Sequence, residues 1–471
     1  MDEHGRRGGC CCYHTPTAPE ATVPAPELAS LLLILEGIFR PALTQPSFMN
    51  LVTLVAGWVQ TMAPSHTVTE SLLAAHVAGR RHHSAFHRFF SRATWDPDTI
   101  GYWLVQRLVD RLGDGVLRVV IDDTIASKKG PHVFGLGTHV DPVRSTKRYR
   151  VFTFGHCWVV LAVLCRVPFS HRAWALPVLF RLYRNKKECT KNSAAYRKKT
   201  ELAREMLDLL CRWVADRRIE VTADSAYCND TVTRALPPRV VLFGAMRPDA
   251  VLTALPSTSG ASTGRPRKRG ETLPKPTAFA EDPDEPWLTC IAEVYGRLRT
   301  VRYKTLCGQW YRACGVGELR VVIVATPKGA IPYRIFFCTD ASINVRTILE
   351  TYAERWGIEV FFRDAKQMLG FADSPARTRS AVLRTAPFVG LVYSVLVLWF
   401  VEGASTSPLA ALPIRPWYEH KRGRCFADVL RAARRVLGPL DVFDLARDFN
   451  NLAKVEAAPV AARERAPDIA A

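Results

Sequence analysis

The sequence predicts an α/β protein, a mixed sheet flanked by helices behind an N-terminal helical segment, and three observations carry that expectation. Short β-branched runs at 117–121, 151–167, 219–222 and 240–243 read as strands. A helical pattern over 194–215, with Leu202, Met206, Leu209, Leu210 and Trp213 at helical spacing, separates the second run from the third. Apolar residues also recur at helical spacing from Ala29 to Leu112, interrupted by Pro41, Pro46, Pro64 and Pro97.

Taken in order, residues 1–28 are rich in Pro, Ala and Thr and read as a disordered tail. Residues 29–113 then form a helical N-terminal domain. Its stretch 80–90 mixes Arg80, Arg81, His82, His83, His87 and Arg88 with Phe86, Phe89 and Phe90, which suits either a solvated basic face backed by core phenylalanines or a DNA-contacting helix. Residues 114–250 hold the first part of the sheet. Residues 251–344 are a linker and a β-rich insertion, with strand-like runs at 319–325 and 333–339. The linker carries Arg265, Arg267, Lys268 and Arg269, a cluster that is either solvated or set against phosphate. Helices return over 345–402, and 403–471 is a helical region ending in an Ala-rich disordered tail.

Composition excludes several classes. Of 471 residues, 48% are hydrophobic and 23% charged, so a wholly disordered, collagen-like or disulfide-stapled chain is ruled out. Lys and Arg number 64 against 44 Asp and Glu, a net charge of +20 that calls for a polyanionic partner, nucleic acid first. The 13 cysteines are odd in number and form no paired C-x-x-C motifs, and Cys307 and Cys314 have no nearby His, so the thiols are expected to be reduced and mostly buried, as in a cytosolic protein. The N-terminus lacks the pattern of a secretory signal. The longest uncharged apolar stretch, 386–401, is shorter than the ~20 residues of a bilayer span and reads as a buried helix.

The candidate chemistry lies in three acids. Asp122, beside Asp123, follows one strand-like run, and Asp224 follows another. Acids at strand ends can share a crevice and hold a metal, although singly they also serve as turn formers or helix caps. Strand alternation sends Asp122 and Asp123 to opposite faces, so only one of them can serve such a site. A third acid stands in a helical segment at 348–368. At about 100° per residue, Tyr352, Arg355, Glu359 and Lys366 fall within about 60° of one another, whereas Glu354 and Asp364 lie off that stripe. Burying these charges among Trp356, Ile358, Val360, Phe361 and Phe362 costs several kcal/mol unless they pair or bind an ion. The stripe is therefore either a functional site or an internal ion-pair network.

These four positions resemble the Y-(2)-R-(3)-E-(6)-K pattern of DDE transposases of the IS4 type, which includes the Tn5 and IS701 relatives. Asp122 with Thr124 resembles the D-x-T of the first catalytic strand, and Asp224 with Tyr227 resembles the D-x-x-Y of the second. Phe86-His87-Arg88-Phe89-Phe90-Ser91, within 81–95, is similar to the IS701-like branch. The resemblance covers roughly residues 80–400 and implies an RNase H-like core with a β-rich insertion before its last catalytic helix. It implies that Asp122, Asp224 and Glu359 are catalytic and hold two Mg²⁺ or Mn²⁺ ions, which suit hard oxygen donors. It implies that Tyr352, Arg355 and Lys366 bind DNA, and its D-x-T element favours Asp122 over Asp123.

The activity implied is that of a DNA transposase. It binds terminal inverted repeats, cleaves at the element ends and joins them to target DNA, as a homodimer in a synaptic complex, cytoplasmic and nucleoid-associated, with no membrane partner. A catalytically inactive DNA-binding derivative and a metal-dependent nuclease without joining activity remain alternatives. His156 reads as a core or turn histidine or as part of the site, and Trp310 as a sheet tryptophan or a holder of a flipped base.

Overall fold

The computed structural model describes residues 26–438 apart from 113–114, 131, 147, 257–266, 327–331, 413–416 and 418–422. The disordered tails expected over 1–28 and after 455, and Arg265 of the basic cluster, lie outside the described residues, except that 26–28 open the first helix, with Leu28 buried.

Five N-terminal helices come first: α1 (Pro26–Phe39), α2 (Gln45–Gln60), α3 (Val68–Ala74), α4 (Ser84–Ser91) and α5 (Pro97–Leu112). Phe86, Phe89 and Phe90 of α4 are buried, while His87 and Arg88 on the other side of the helix are exposed. These helices share one continuous hydrophobic core with the sheet.

The sheet begins with β1 (Leu117–Ser127), β2 (Gly137–Val140), β3 (Phe152–Cys165) and β4 (Trp174–Tyr183). Two helices, α6 (Lys186–Lys191) and α7 (Lys199–Trp213), lead to β5 (Ile219–Ala223), α8 (Asp230–Thr233) and β6 (Val240–Ala245). The later part contains α9 (Pro276–Glu281), β7 (Leu288–Val294), β8 (Arg297–Gln309), α10 (Tyr311–Cys314), β9 (Glu318–Ala325) and β10 (Tyr333–Cys338). It closes with α11 (Val345–Glu354), α12 (Trp356–Met368), α13 (Arg379–Glu402) and α14 (Phe426–Leu437).

All ten strands belong to one mixed sheet ordered β2-β3-β1-β5-β6-β10-β9-β8-β7, with β4 on β3. The central trio β1, β5 and β6 is parallel, and the remaining pairs are antiparallel. Strand β6 is wholly apolar and every residue of β5 is buried, Glu220 and Thr222 included, as burial on both faces demands. The strands of the 251–344 segment continue this sheet, because β10 pairs with β6 through Phe337 and Gly244.

Three departures from the sequence reading bear on the site. Strand β4 was not expected; it carries Pro177, a residue that argues against a central strand. Here Pro177 sits beside a register shift in the β3–β4 pairing, where its missing N–H is tolerated. The helix that starts the 194–215 segment begins only at Lys199. The single helix expected over 348–368 is two helices, α11 and α12, meeting at Arg355.

Helix α13 is long and apolar enough to cross a membrane by length and composition, and 89% of its most apolar window is buried inside the fold. It packs on β4 and α4. Helix α12 crosses β4 closely at Gly357, where an added Cβ would lie 2.9 Å from the Ala173 carbonyl oxygen. That contact helps to bring the junction at Arg355 down onto the sheet.

Candidate active site

Asp122 and Asp224 are brought side by side by strand register. The parallel pair β1–β5 aligns Ile121 with Ala223, so the next residue on each chain leaves the same edge of the sheet together. Beyond that point β5 ends and turns, with the Ala226 N–H donating to Asp224 Oδ1 at 2.9 Å, while β1 runs on against β3 to Ser127. Burial and the neighbouring Asp224 push the Asp122 carboxyl up to about 7. Asp224 is likewise raised, by burial first. Two acids at a closed strand edge with their carboxyls driven toward the neutral form are what a site for added positive charge looks like.

That charge comes in part from Arg355. Its guanidinium donates to Asp122 Oδ2 at 2.8 Å and, through its other terminal nitrogen, to Glu359 Oε1 one helical turn on. The fork thus links a strand acid to a helix acid. Its position at the α11–α12 junction, with the Arg355 N–H on the Tyr352 carbonyl at 3.1 Å, aims the side chain at the sheet. Tyr352 packs its ring on Phe336 at 4.5 Å between centroids, with the Arg355 guanidinium 6.0 Å from its own ring, and burial raises its phenol to about 12. Lys366 lies further along α12 and donates to the Ile125 carbonyl at 2.8 Å, and burial lowers its ammonium.

The structure therefore brings Asp122, Arg355 and Glu359 into direct contact, sets Asp224 within electrostatic range of Asp122, and places Tyr352 and Lys366 on the flanks. The two acids that the helical wheel set aside are engaged elsewhere. Glu354 pairs with Arg118 and Arg166, and the buried Asp364 pairs with Arg363. Among the described residues, no group of three or more His, Cys, Asp or Glu side chains is gathered closely enough to hold a metal ion.

Asp123 points to the other face, as alternation requires. Its carboxylate accepts from Lys199 Nζ at 2.6 Å, from the Tyr227 hydroxyl at 2.7 Å and from the Cys157 thiol at 3.4 Å. Lys199 was absent from the sequence reading. The signal for it was indirect: a strand acid facing inward on the side away from the site needs a cation, and only tertiary structure shows which one answers.

The remaining candidates are core residues. His156 is buried, its Nε2 is 2.9 Å from the Phe134 carbonyl, and burial pushes its imidazole down to about 4. Trp310 is buried edge-on against Phe337, with centroids 5.3 Å apart. Arg267, Lys268 and Arg269 are exposed, the last over the Tyr311 ring at 4.8 Å. The described cysteines are free thiols.

A family model described as DDE superfamily endonuclease matches residues 39–306, a span that contains Asp122 and Asp224 and ends before the Arg355 junction. No curated protein matches the chain.

Proposed function

The chain belongs to the DDE superfamily of endonucleases, and on that premise we propose that it is a DNA transposase of the IS4 type, IS701-like branch. It binds the terminal inverted repeats of its element as a homodimer, cleaves at the ends and joins them to target DNA in the cytoplasm, on the nucleoid. The observation that carries this reading is the bridge from Asp122 through Arg355 to Glu359, built beside Asp224 from residues more than 200 positions apart.

The donor chemistry suits a divalent metal, although the three carboxylates are not gathered into a metal-binding cluster as they stand: they come from separate elements, two of them are raised by burial, and a cation would relieve their mutual repulsion. Asp122, Asp224 and Glu359 would hold Mg²⁺ or Mn²⁺, which when bound activates a water or 3′-hydroxyl and stabilises the leaving oxygen. Arg355 offsets one of the two charges where Asp122 and Glu359 stand together, and its planar fork can also engage a phosphate. Lys366, held against β1, and Tyr352, wedged on Phe336, fix the helix that carries Glu359 and present donors to the DNA backbone.

The test is cleavage and joining of a labelled element end in Mg²⁺. Asp224→Asn and Glu359→Gln are expected to lose both reactions while retaining duplex binding, and the wild type is expected to join a pre-cut end. Near-normal cleavage by Asp224→Asn removes that residue from the site, and cleavage without joining by the wild type leaves a nuclease.

A further inference from the structure

Past the active site the sheet narrows to an arm. Ser127, the last residue of β1, is level with Gly155, and beyond that point only β2 and β3 continue, pairing Thr138 with Phe154 and Val140 with Phe152. Directly paired residues share a face, and every second residue repeats it. Asp122 is level with Val160, so Trp158, His156, Phe154 and Phe152 lie in turn on the Asp122 face, together with Thr138 and Val140. His156 and Trp158 are buried, whereas Phe154 and Phe152 are 47% and 60% exposed. The catalytic face therefore runs outward into an uncovered aromatic strip.

The tip of the arm adds charge. Arg144, Arg148 and Arg150 are exposed, and no ion pair or side-chain hydrogen bond engages them among the described residues. One acid stands against them, Asp141, which is held in the turn by the Val143 and Arg144 N–H groups at 3.0 and 3.2 Å and by Thr153 Oγ1 at 3.2 Å, and whose charge also acts on Lys366. Ser145 closes the loop by accepting from the Val151 N–H at 2.9 Å. Tyr149, 71% exposed, stands among the three arginines. Three exposed guanidiniums against a single nearby carboxylate are complementary to a polyanion.

We propose that the β2–β3 hairpin is a DNA-gripping arm, in which Arg144, Arg148 and Arg150 hold duplex phosphates while Phe152 and Phe154 face the same duplex. The inference rests on the reading of the Asp122 site as one that cleaves DNA. From Asp122 to the level of Phe152 is eight residues of strand, about 26 Å at ~3.3 Å each. Along a duplex rising ~3.4 Å per base pair, that reach sets the arm's contacts up to about eight base pairs from the cleaved phosphate.

The experiment is fluorescence anisotropy of the full chain on a duplex of about 30 base pairs carrying an element end, titrated between about 50 and 200 mM salt. Combining Arg144→Ala, Arg148→Ala and Arg150→Ala should weaken binding at least tenfold and lower the log–log salt slope by about 2–3, near 0.9 per lost phosphate contact. Lysine at the same three positions should restore the slope. Phe152→Ala with Phe154→Ala should weaken binding with the slope unchanged, and every variant should melt as the wild type does, because these side chains are exposed. A wild type that binds no duplex overturns the DNA-cleaving reading along with the arm. A steep wild-type slope that the alanine variant reproduces overturns the arm alone. Loss of a wild-type dimer in the phenylalanine variant, with DNA binding unchanged, would give this face to a second copy of the chain instead.

Discussion

On one face of β1, Asp122 meets Arg355 and the charge of Asp224; on the other, Asp123 meets Lys199, Tyr227 and Cys157. Both carboxylates are mostly buried, and both have a cation in hydrogen-bonding range. The difference lies in what else surrounds them. Asp123 receives three donors, and no second acid among the described residues forms a salt bridge with its nearest cation, Lys199. Asp122 shares its cation with Glu359 and faces a second acid, so its carboxyl is driven up to about 7 by burial and repulsion. A buried charge fully matched by donors is a fastening; one left short of positive charge is a place where ligand charge can enter.

The largest expected effect breaks the comparison at its centre. Asp122→Asn should lower DNA cleavage by at least about 10³-fold, since a lost ligand removes several kcal/mol of charge stabilisation in the transition state. Asp123→Asn should retain activity within about tenfold when assayed below its melting range. Duplex binding by both variants should stay within a few-fold of wild type. The reverse ranking in a single-turnover cleavage assay would move the site to the opposite face of β1.

A smaller effect is expected behind the strand. Lys199→Met leaves the Asp123 carboxylate without its cation, and breaking a half-buried pair from one side costs about 2 kcal/mol. Lys199 should therefore register as lost stability, seen as a lower denaturation midpoint, with the catalytic rate of the remaining folded protein little changed. Combining Lys199→Met with Asp123→Asn should recover part of that loss, because the unpaired charge is gone. A double variant no more stable than Lys199→Met alone would mean that the lysine acts through something other than Asp123.

Much of this contrast was legible beforehand, and its limits are physical. Strands β1, β3, β5 and β6 announce themselves by β-branched runs, and the alternation rule alone separates Asp122 from Asp123. The Tyr352, Arg355, Glu359 and Lys366 stripe follows from helical periodicity, although the break at Arg355 does not, since no proline stands there and Gly357, two residues on, is by itself compatible with an unbroken helix. Pro177 hid β4, because a proline in a strand is tolerated at an edge or beside a bulge, and both the edge position of β4 and its extra residue Val178 show only once it is paired with β3. The pairing of β10 with β6 joins segments about 90 residues apart, and Lys199 reaches Asp123 across 76 positions. Such encounters depend on the assembled sheet, and no local pattern encodes them.

The smallest expected effect tests how the Asp122 face is closed beyond the site, at His156. Its imidazole is buried beside Trp158, and this burial, with the charges of Lys128 and His139, outweighs the opposing bond to the Phe134 carbonyl and holds it at about 4 against an unfolded value near 6.5. For a base whose folded value is depressed, the unfolded chain takes up the proton first, so stability is full above about 6.5 and falls as pH drops toward 4. At pH 5 the unfolded state is favoured by about 1.5 units, or about 2 kcal/mol at 1.36 kcal/mol per unit. His156→Gln keeps a donor for the Phe134 carbonyl but cannot be protonated. Denaturant midpoints measured from pH 7.5 to 4.5 should therefore fall less steeply for the variant than for the wild type, the difference appearing below pH 6.5. Parallel curves would mean that water reaches His156 in the folded protein, so that the Asp122 face is not closed at this point.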